Sequence, residues 1–177
     1  MICTFIKTKG IMTIRHSSPQ DLDAIMEIFS HARKFMREHG NPNQWINGYP
    51  SADLILQEIS NGTSYVCENE SGEITGTFSF IPGEDPTYAR IDDGNWLNDS
   101  PYHVIHRMAA DGRQKGMAEA CLKWCFEHSD NIRVDTHHDN HVMQHILQKH
   151  GFKRCGTIYT HNGTPRIAYQ RTLTDRH

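Results

Sequence analysis

Along this chain the apolar residues keep changing their spacing, from the i, i+3, i+4 stripe of a helix to the short runs of a strand and back. Leu22, Ile25, Met26, Phe29, Ala32 and Met36 form one helical stripe, opened by Ser18-Pro19 and stopped at Gly40. Ser51 caps a second helix carrying Leu54, Ile55 and Ile59, which Asn61-Gly62 closes. A third is predicted over 116–128, with Met117, Cys121, Trp124, Cys125 and His128 on one face. A fourth follows Asp139 as its cap, carries Met143, Ile146, Leu147 and His150, and ends at Gly151. Strands are predicted at 12–16, 64–68, 74–81, 104–110, 132–136, 152–159 and 166–171. Helices and strands interleave in the second half, so the fold class is α/β (α+β) around a central sheet. Residues 12–177 read as a single domain, with 1–11 as a leader or an extended start.

Composition removes several function classes. The chain has 177 residues, 37% hydrophobic and 22% charged, with a formal charge of −3. No basic excess exists to neutralise a run of phosphates, so no nucleic-acid partner is expected. No apolar run approaches the ~20 residues of a membrane span, so no membrane partner is expected either. The five cysteines are odd in number and scattered, which argues against a disulfide framework and for reduced thiols in a cytoplasmic protein.

The segment from His106 to Phe152 carries the chemistry. A strand runs into the loop Gly112-Arg-Gln-Lys-Gly-Met-Ala118, and a helix follows at once. Such a junction offers unpaired backbone N–H groups and the positive end of a helix dipole, an anion site suited to a pyrophosphate. Gly112 and Gly116 let the backbone turn, and Arg113 and Lys115 add positive charge. An ordinary glycine turn between strand and helix would read the same way.

Two spacings decide between these readings. Arg113-Gln-Lys-Gly116-Met-Ala118 fits R/Q-x-x-G-x-G/A, and Asn140-x-x-Met143-x-x-Ile146-Leu147-x-Lys149-x-Gly151-Phe152 resembles N-x-x-A-x-x-L-Y-x-K-x-G-F. In that order, the two resemble the signatures of the GNAT superfamily of acyl-CoA N-acyltransferases, and the likeness covers about residues 12–172. It implies a mixed, splayed sheet of about six to seven strands flanked by about four helices. It also implies acetyl-CoA as co-substrate and a small-molecule or peptide amine as acceptor, and leaves a homodimer open. By resemblance, the backbone of Met108, Ala109 and Ala110 pairs with the pantetheine arm. The N–H groups of Arg113, Gln114, Lys115, Gly116, Met117 and Ala118 hold the pyrophosphate, and Asn140 bonds the arm. Lys149 joins this cofactor set or caps its own helix. The chain departs from the pattern at Leu147, where many relatives carry a tyrosine that protonates the leaving thiolate.

That departure costs little. A thiol pKa near 8.5 makes protonation of the leaving group worth about 2 kcal/mol at pH 7, whereas deprotonating a lysine-like amine costs about 4.6 kcal/mol. Solvent, Tyr102 or Tyr159 can supply the proton. The base therefore matters more, and the candidates are His106, Asp135 and His137, where the fourth and fifth strands would open. The alternatives are an Arg107–Asp135 ion pair and a capping role for His137. Trp45, Tyr88 and Trp96 are expected to wall the acceptor site, with Tyr49, Asp92, Asp93 and Tyr102 nearby. They could equally anchor poorly packed loops. An acyl-CoA-binding sensor without catalysis is the alternative function. No metal site is expected: His141 and His145 stand four apart on a helix, but no C-x-x-C or H-E-x-x-H occurs.

Overall fold

The computed structural model describes residues 12–173. The leader or extended start proposed for 1–11, and Cys3 with it, lie outside the described residues. The strands are β1 (Thr13–His16), β2 (Ser64–Glu68), β3 (Ile74–Pro82), β4 (His103–Ala110), β5 (Asn131–Thr136), β6 (Lys153–Tyr159) and β7 (Pro165–Thr172). The helices are α1 (Leu22–Glu38), α2 (Ala52–Asn61), α3 (Met117–His128) and α4 (His141–Lys149). All seven strands join one mixed sheet in the order β1-β2-β3-β4-β5-β7-β6. Every pairing is antiparallel except β4 with β5. No helix among the described residues is long and apolar enough to cross a membrane.

The exception positions the site. β4 and β5 pair only at His103↔Ile132 and Val104↔Arg133, at the start of each strand. Beyond that point they part, while β4 stays paired to β3 and β5 to β7. The facing backbone edges are left without ladder partners, and a cavity of about 720 Å³ opens between them.

A second irregularity lies in β4 itself. Thr77 pairs with Ala109 and Ser79 with His106, so one extra residue is accommodated opposite Phe78. Arg107 takes φ 53° there. This bulge turns the Arg107 side chain to a buried ion pair with Glu58 of α2, and Ser79 donates a hydrogen bond to the same carboxylate. Arg107 also donates to the Tyr49 hydroxyl at 2.9 Å. Glu58 falls on the same helical stripe as Leu54, Ile55 and Ile59, so its carboxylate is carried into the interior, where it is 5% exposed.

Apolar packing fixes the rest. α1 and α2 cover one face through Ile25, Ile28, Phe29 and Ile55, which cluster with Val66 of β2. α3 and α4 contribute Cys121, Leu122, Cys125 and Leu147 to a core with Phe78, Ile105 and Ile132. Cys121 and Cys125 are thus core residues; the hydrogen bond with Cys67, then burial, pushes the Cys121 thiol up, and burial does so at Cys125. The long connection between β3 and β4 is braced against β6. Asp92 exchanges backbone hydrogen bonds with Thr157, and a Cβ on Gly94 would lie 1.9 Å from the Cys155 carbonyl oxygen.

Candidate active site

The cavity at the β4–β5 split is lined by Ile105 to Met108 from β4 and by Val134, Asp135 and Thr136 from β5. The loop after α1 adds Gln44, Trp45, Ile46 and Tyr49, and the segment after β3 adds Glu84 and Asp85. Leu122, Asn140, Met143 and Leu147 close one end, and Arg166 of β7 stands at another part of the wall.

His106 projects into this space from the residue before the bulge. Its Nε2 lies 2.8 Å from Asp85 Oδ2. Asp85 is held in turn by Thr87, whose backbone N–H and hydroxyl donate to Oδ1 at 2.9 and 2.7 Å, while its own N–H donates to the Tyr102 hydroxyl at 3.0 Å. Burial opposes charge on both partners. The hydrogen bond to Asp85, with the charges of Asp135 and Asp85, outweighs it and raises the His106 pKa above its ordinary 6.5. Burial of Asp85 is likewise outweighed, by His106 and Thr87, and its pKa falls to about 2. Asp85 also fixes the neutral ring with its hydrogen on Nε2 and leaves Nδ1 as the proton acceptor.

Asp135 lines the same cavity but does not pair with Arg107, which is committed to Glu58. Instead it accepts a hydrogen bond of 2.6 Å from the Tyr88 hydroxyl. His137 lies past the end of β5, buried and outside the cavity lining, with Nδ1 accepting from the Asp139 N–H at 3.0 Å. Burial, then the charge of Arg166, lowers its pKa. This is the capping role rather than a place at the cavity. Of the expected acceptor wall, Trp45 faces the cavity. Tyr88 is buried beneath it, and Trp96 donates to the Tyr88 carbonyl and stacks on Arg133. Neither tyrosine proposed as thiolate acid reaches the opening. Tyr102 accepts from Asp85, and Tyr159 donates to Asp92.

The cofactor candidates divide into two groups. Gly112 and Gly116 sit at φ 80° and 77°, and Gly116 is the N-cap of α3, so the 112–118 turn leads into a helix N-terminus whose first amides have no intrahelical partners. The turn is mostly exposed and lies beyond the cavity lining; β4, through Met108, Ala109 and Ala110, runs from one to the other. Met117 is buried against Gly76, so it and Ala118 would present backbone rather than side chain. Lys115 is exposed, while Gln114 Oε1 is buried without a partner. The Arg113 guanidinium is occupied by Asp111, Glu73 and the Ile74 carbonyl. Asn140, not Asp139, caps α4: its Oδ1 accepts from the Met143 N–H at 3.0 Å, and its amide donates to Gln44 at 2.9 Å. Lys149 does not cap its own helix either; it reaches across to Glu119 of α3 at 3.2 Å.

Reading the sequence missed Asp85 and Arg166. Asp85 sits in a connection with no periodicity, and Arg166 begins a strand whose other members are apolar or polar without pattern. No local signal marks either one.

Comparison with known proteins supplies the class. The sequence model of the Acetyltransferase (GNAT) domain matches residues 12–153. A GNAT-family acetyltransferase from Streptococcus agalactiae 2603 is 34% identical, over 91% of this chain and 95% of that one, with a TM-score of 0.83. The chain belongs to the GNAT acetyltransferase family, whose co-substrate is acetyl-CoA. The same fold recurs in a putative acetyltransferase from Salmonella typhimurium solved with its cofactor acetyl-CoA (18% identity, 94% and 95% coverage, TM-score 0.61). It recurs too in a ribosomal-protein-alanine N-acetyltransferase from Brucella melitensis (18%, 91% and 99%, 0.63). A comparison with curated protein sequences finds no match.

Proposed function

We propose that this chain is a cytoplasmic N-acetyltransferase of one domain, residues 12–177, that moves the acetyl group of acetyl-CoA to a primary amine by direct attack. The observation that carries this reading is the cavity at the β4–β5 split, with His106 inside it and β4 leading out to the 112–118 turn. The residues fit the co-substrate. The turn presents helix N-terminal amides to a diphosphate, and the unpaired strand edges offer hydrogen bonds to the amides of an extended arm. When bound, acetyl-CoA supplies a thioester already activated toward attack.

The protein's part is positioning and one proton. His106 Nδ1 removes the proton of the incoming ammonium, the step worth about 4.6 kcal/mol for a lysine-like amine. Asp85 stabilises the imidazolium that results and holds the ring's direction. The imidazolium yields that proton to solvent, and the second proton that nitrogen loses as the tetrahedral adduct collapses goes to the departing sulfur, so Leu147 needs no acid in its place. Apolar walls from Leu122, Met143 and Leu147 exclude water from the reacting end.

Acetyl-CoA at about 100 times its Kd should raise stability by about 2.7 kcal/mol in a thermal-shift titration. An amine panel read by thiol release should then show amine-dependent turnover. Tight binding with no thiol release for any amine would replace the enzyme by the sensor reading, which Leu147 favours.

A further inference from the structure

Among the charged side chains of the cavity, most are already answered. Arg107 is paired with Glu58, and His106 with Asp85. Arg166 is different. It is 9% exposed, lines the cavity, and among the described residues donates only to two backbone carbonyls, of Gln44 at 3.1 Å and Pro165 at 3.4 Å. Among the described residues no carboxylate stands within ion-pair distance of it. Burial accordingly pulls its pKa down, only partly offset by the charge of Asp135 and the nearby Tyr49. A buried guanidinium without a counter-ion is costly, and such a group is the usual recognition element for a carboxylate.

The opposite sign is also present and also unanswered. Asp135 accepts a hydrogen bond from Tyr88 but has no cation within ion-pair distance among the described residues. Asp135 acts electrostatically on His106 and on Arg166, so it stands near both. The strand register explains why. Asp135 pairs with Ala168, and Arg166 lies two residues from Ala168 on the same face of β7. The wall thus presents His106, an anion and a buried cation in sequence.

A ligand of one sign would leave one of those charges unanswered. A ligand carrying both would satisfy them together. The structure assigns Arg166 as the anchor for a carboxylate on the acceptor, and we infer that the acceptor is an amino-acid-like molecule whose ammonium faces Asp135 and His106. A dianionic phosphate fits less well, because one guanidinium beside Asp135 offers it one positive charge and one repulsion. This inference rests on the acetyl-transfer reading for the amine end and on Arg166 alone for the acid end.

The test uses three forms of each acceptor: the free amino acid, its carboxamide and the amine lacking the carboxyl group. With the unaltered protein, kcat/KM by thiol release should favour the acid over the carboxamide by about ten- to a hundredfold, the range of one charge-assisted contact. Arg166→Gln should bring that ratio close to one, and Arg166→Lys should restore part of it. Equal or better turnover of the carboxamide by the unaltered protein overturns the assignment without any variant having to fold. So does an acid preference that survives in Arg166→Gln. Calorimetry of the same three compounds in the presence of CoA separates the two readings. Acid-selective binding without thiol release sinks acetyl transfer and keeps the anchor, whereas thiol release without acid-selective binding does the reverse.

Discussion

The cavity and the turn that β4 leads to are built by different means. At the proposed cofactor end the candidate groups are backbone amides around the 112–118 turn, presented by one continuous strand-turn-helix. At the proposed acceptor end the candidate groups are side chains that line the cavity: Asp85 from a loop, His106 from β4, Asp135 from β5 and Arg166 from β7. A backbone site depends on a local chain path, which a few glycines at fixed spacing specify. A side-chain site depends on where distant segments meet, which no spacing records. Arg107, turned inward at the bulge and locked to Glu58, holds β4 where the two ends join.

The largest effect should come from attacking the backbone end. Gly116 takes φ 77°, and a Cβ there would meet nothing within 4 Å. Gly116→Ala should therefore cost only the strain of a left-handed residue, about 1 kcal/mol, with a small loss of affinity. Gly116→Glu places a carboxylate at an anion site and should remove the acetyl-CoA thermal shift altogether. Unchanged affinity in Gly116→Glu would break the contrast between the two ends.

Next in size is the joint between them. Glu58→Ala leaves the Arg107 guanidinium buried without its partner. Its Nε already lacks a hydrogen-bond partner. Chemical denaturation should show a loss of about 3–5 kcal/mol, the usual result of breaking a buried pair from one side. A loss below about 1 kcal/mol would mean the bulge is held by its ladder rather than by the ion pair.

This contrast also explains how far the sequence could be read. The strand and helix order was legible because amphipathic stripes and capping residues are local. So was the 112–118 turn, whose Gly116 does become the N-cap of α3. Small errors came from competing caps: α4 starts at His141, so Asn140 takes the position expected of Asp139 and accepts from the Met143 N–H. The residues that line the cavity were less legible. His106 stands in the cavity as its place on β4 suggested, but Tyr88 is a buried brace, Trp96 a partly buried one, and Asp85 and Arg166 had no pattern to reveal them. Aromatic residues in a long connection look alike whether they face a ligand or pin the loop to the sheet.

Asp85→Asn probes the acceptor end through its pH dependence. With neutral His106 as the proposed base, kcat/KM should rise as pH passes through its raised pKa, above the ordinary 6.5. Without the Asp85 carboxylate, burial dominates, and the acidic limb should move to lower pH while the plateau drops by about a hundredfold. The folding contribution runs separately. That of Asp85 is complete above 3.8 and lost as pH falls toward about 2. That of His106 is complete below 6.5 and lost as pH rises through the raised value. A limb that stays in place would transfer the role of base to another group, Asp135 being the next candidate in the cavity.

Lys149 offers the smallest effect and the sharpest check on the backbone rule. The family pattern places a lysine there, which the resemblance associates with the cofactor end, but its amine lies 3.2 Å from Glu119 on an exposed stretch between α4 and α3. Exposed pairs of this kind contribute little and are screened by salt. Lys149→Ala should shift the melting temperature by no more than about 1 °C and change acetyl-CoA affinity by no more than about threefold. A tenfold loss of affinity that disappears in high salt would show that a side-chain cation, and not only the turn's amides, holds the diphosphate. The cofactor end would then resemble the acceptor end more than its geometry suggests.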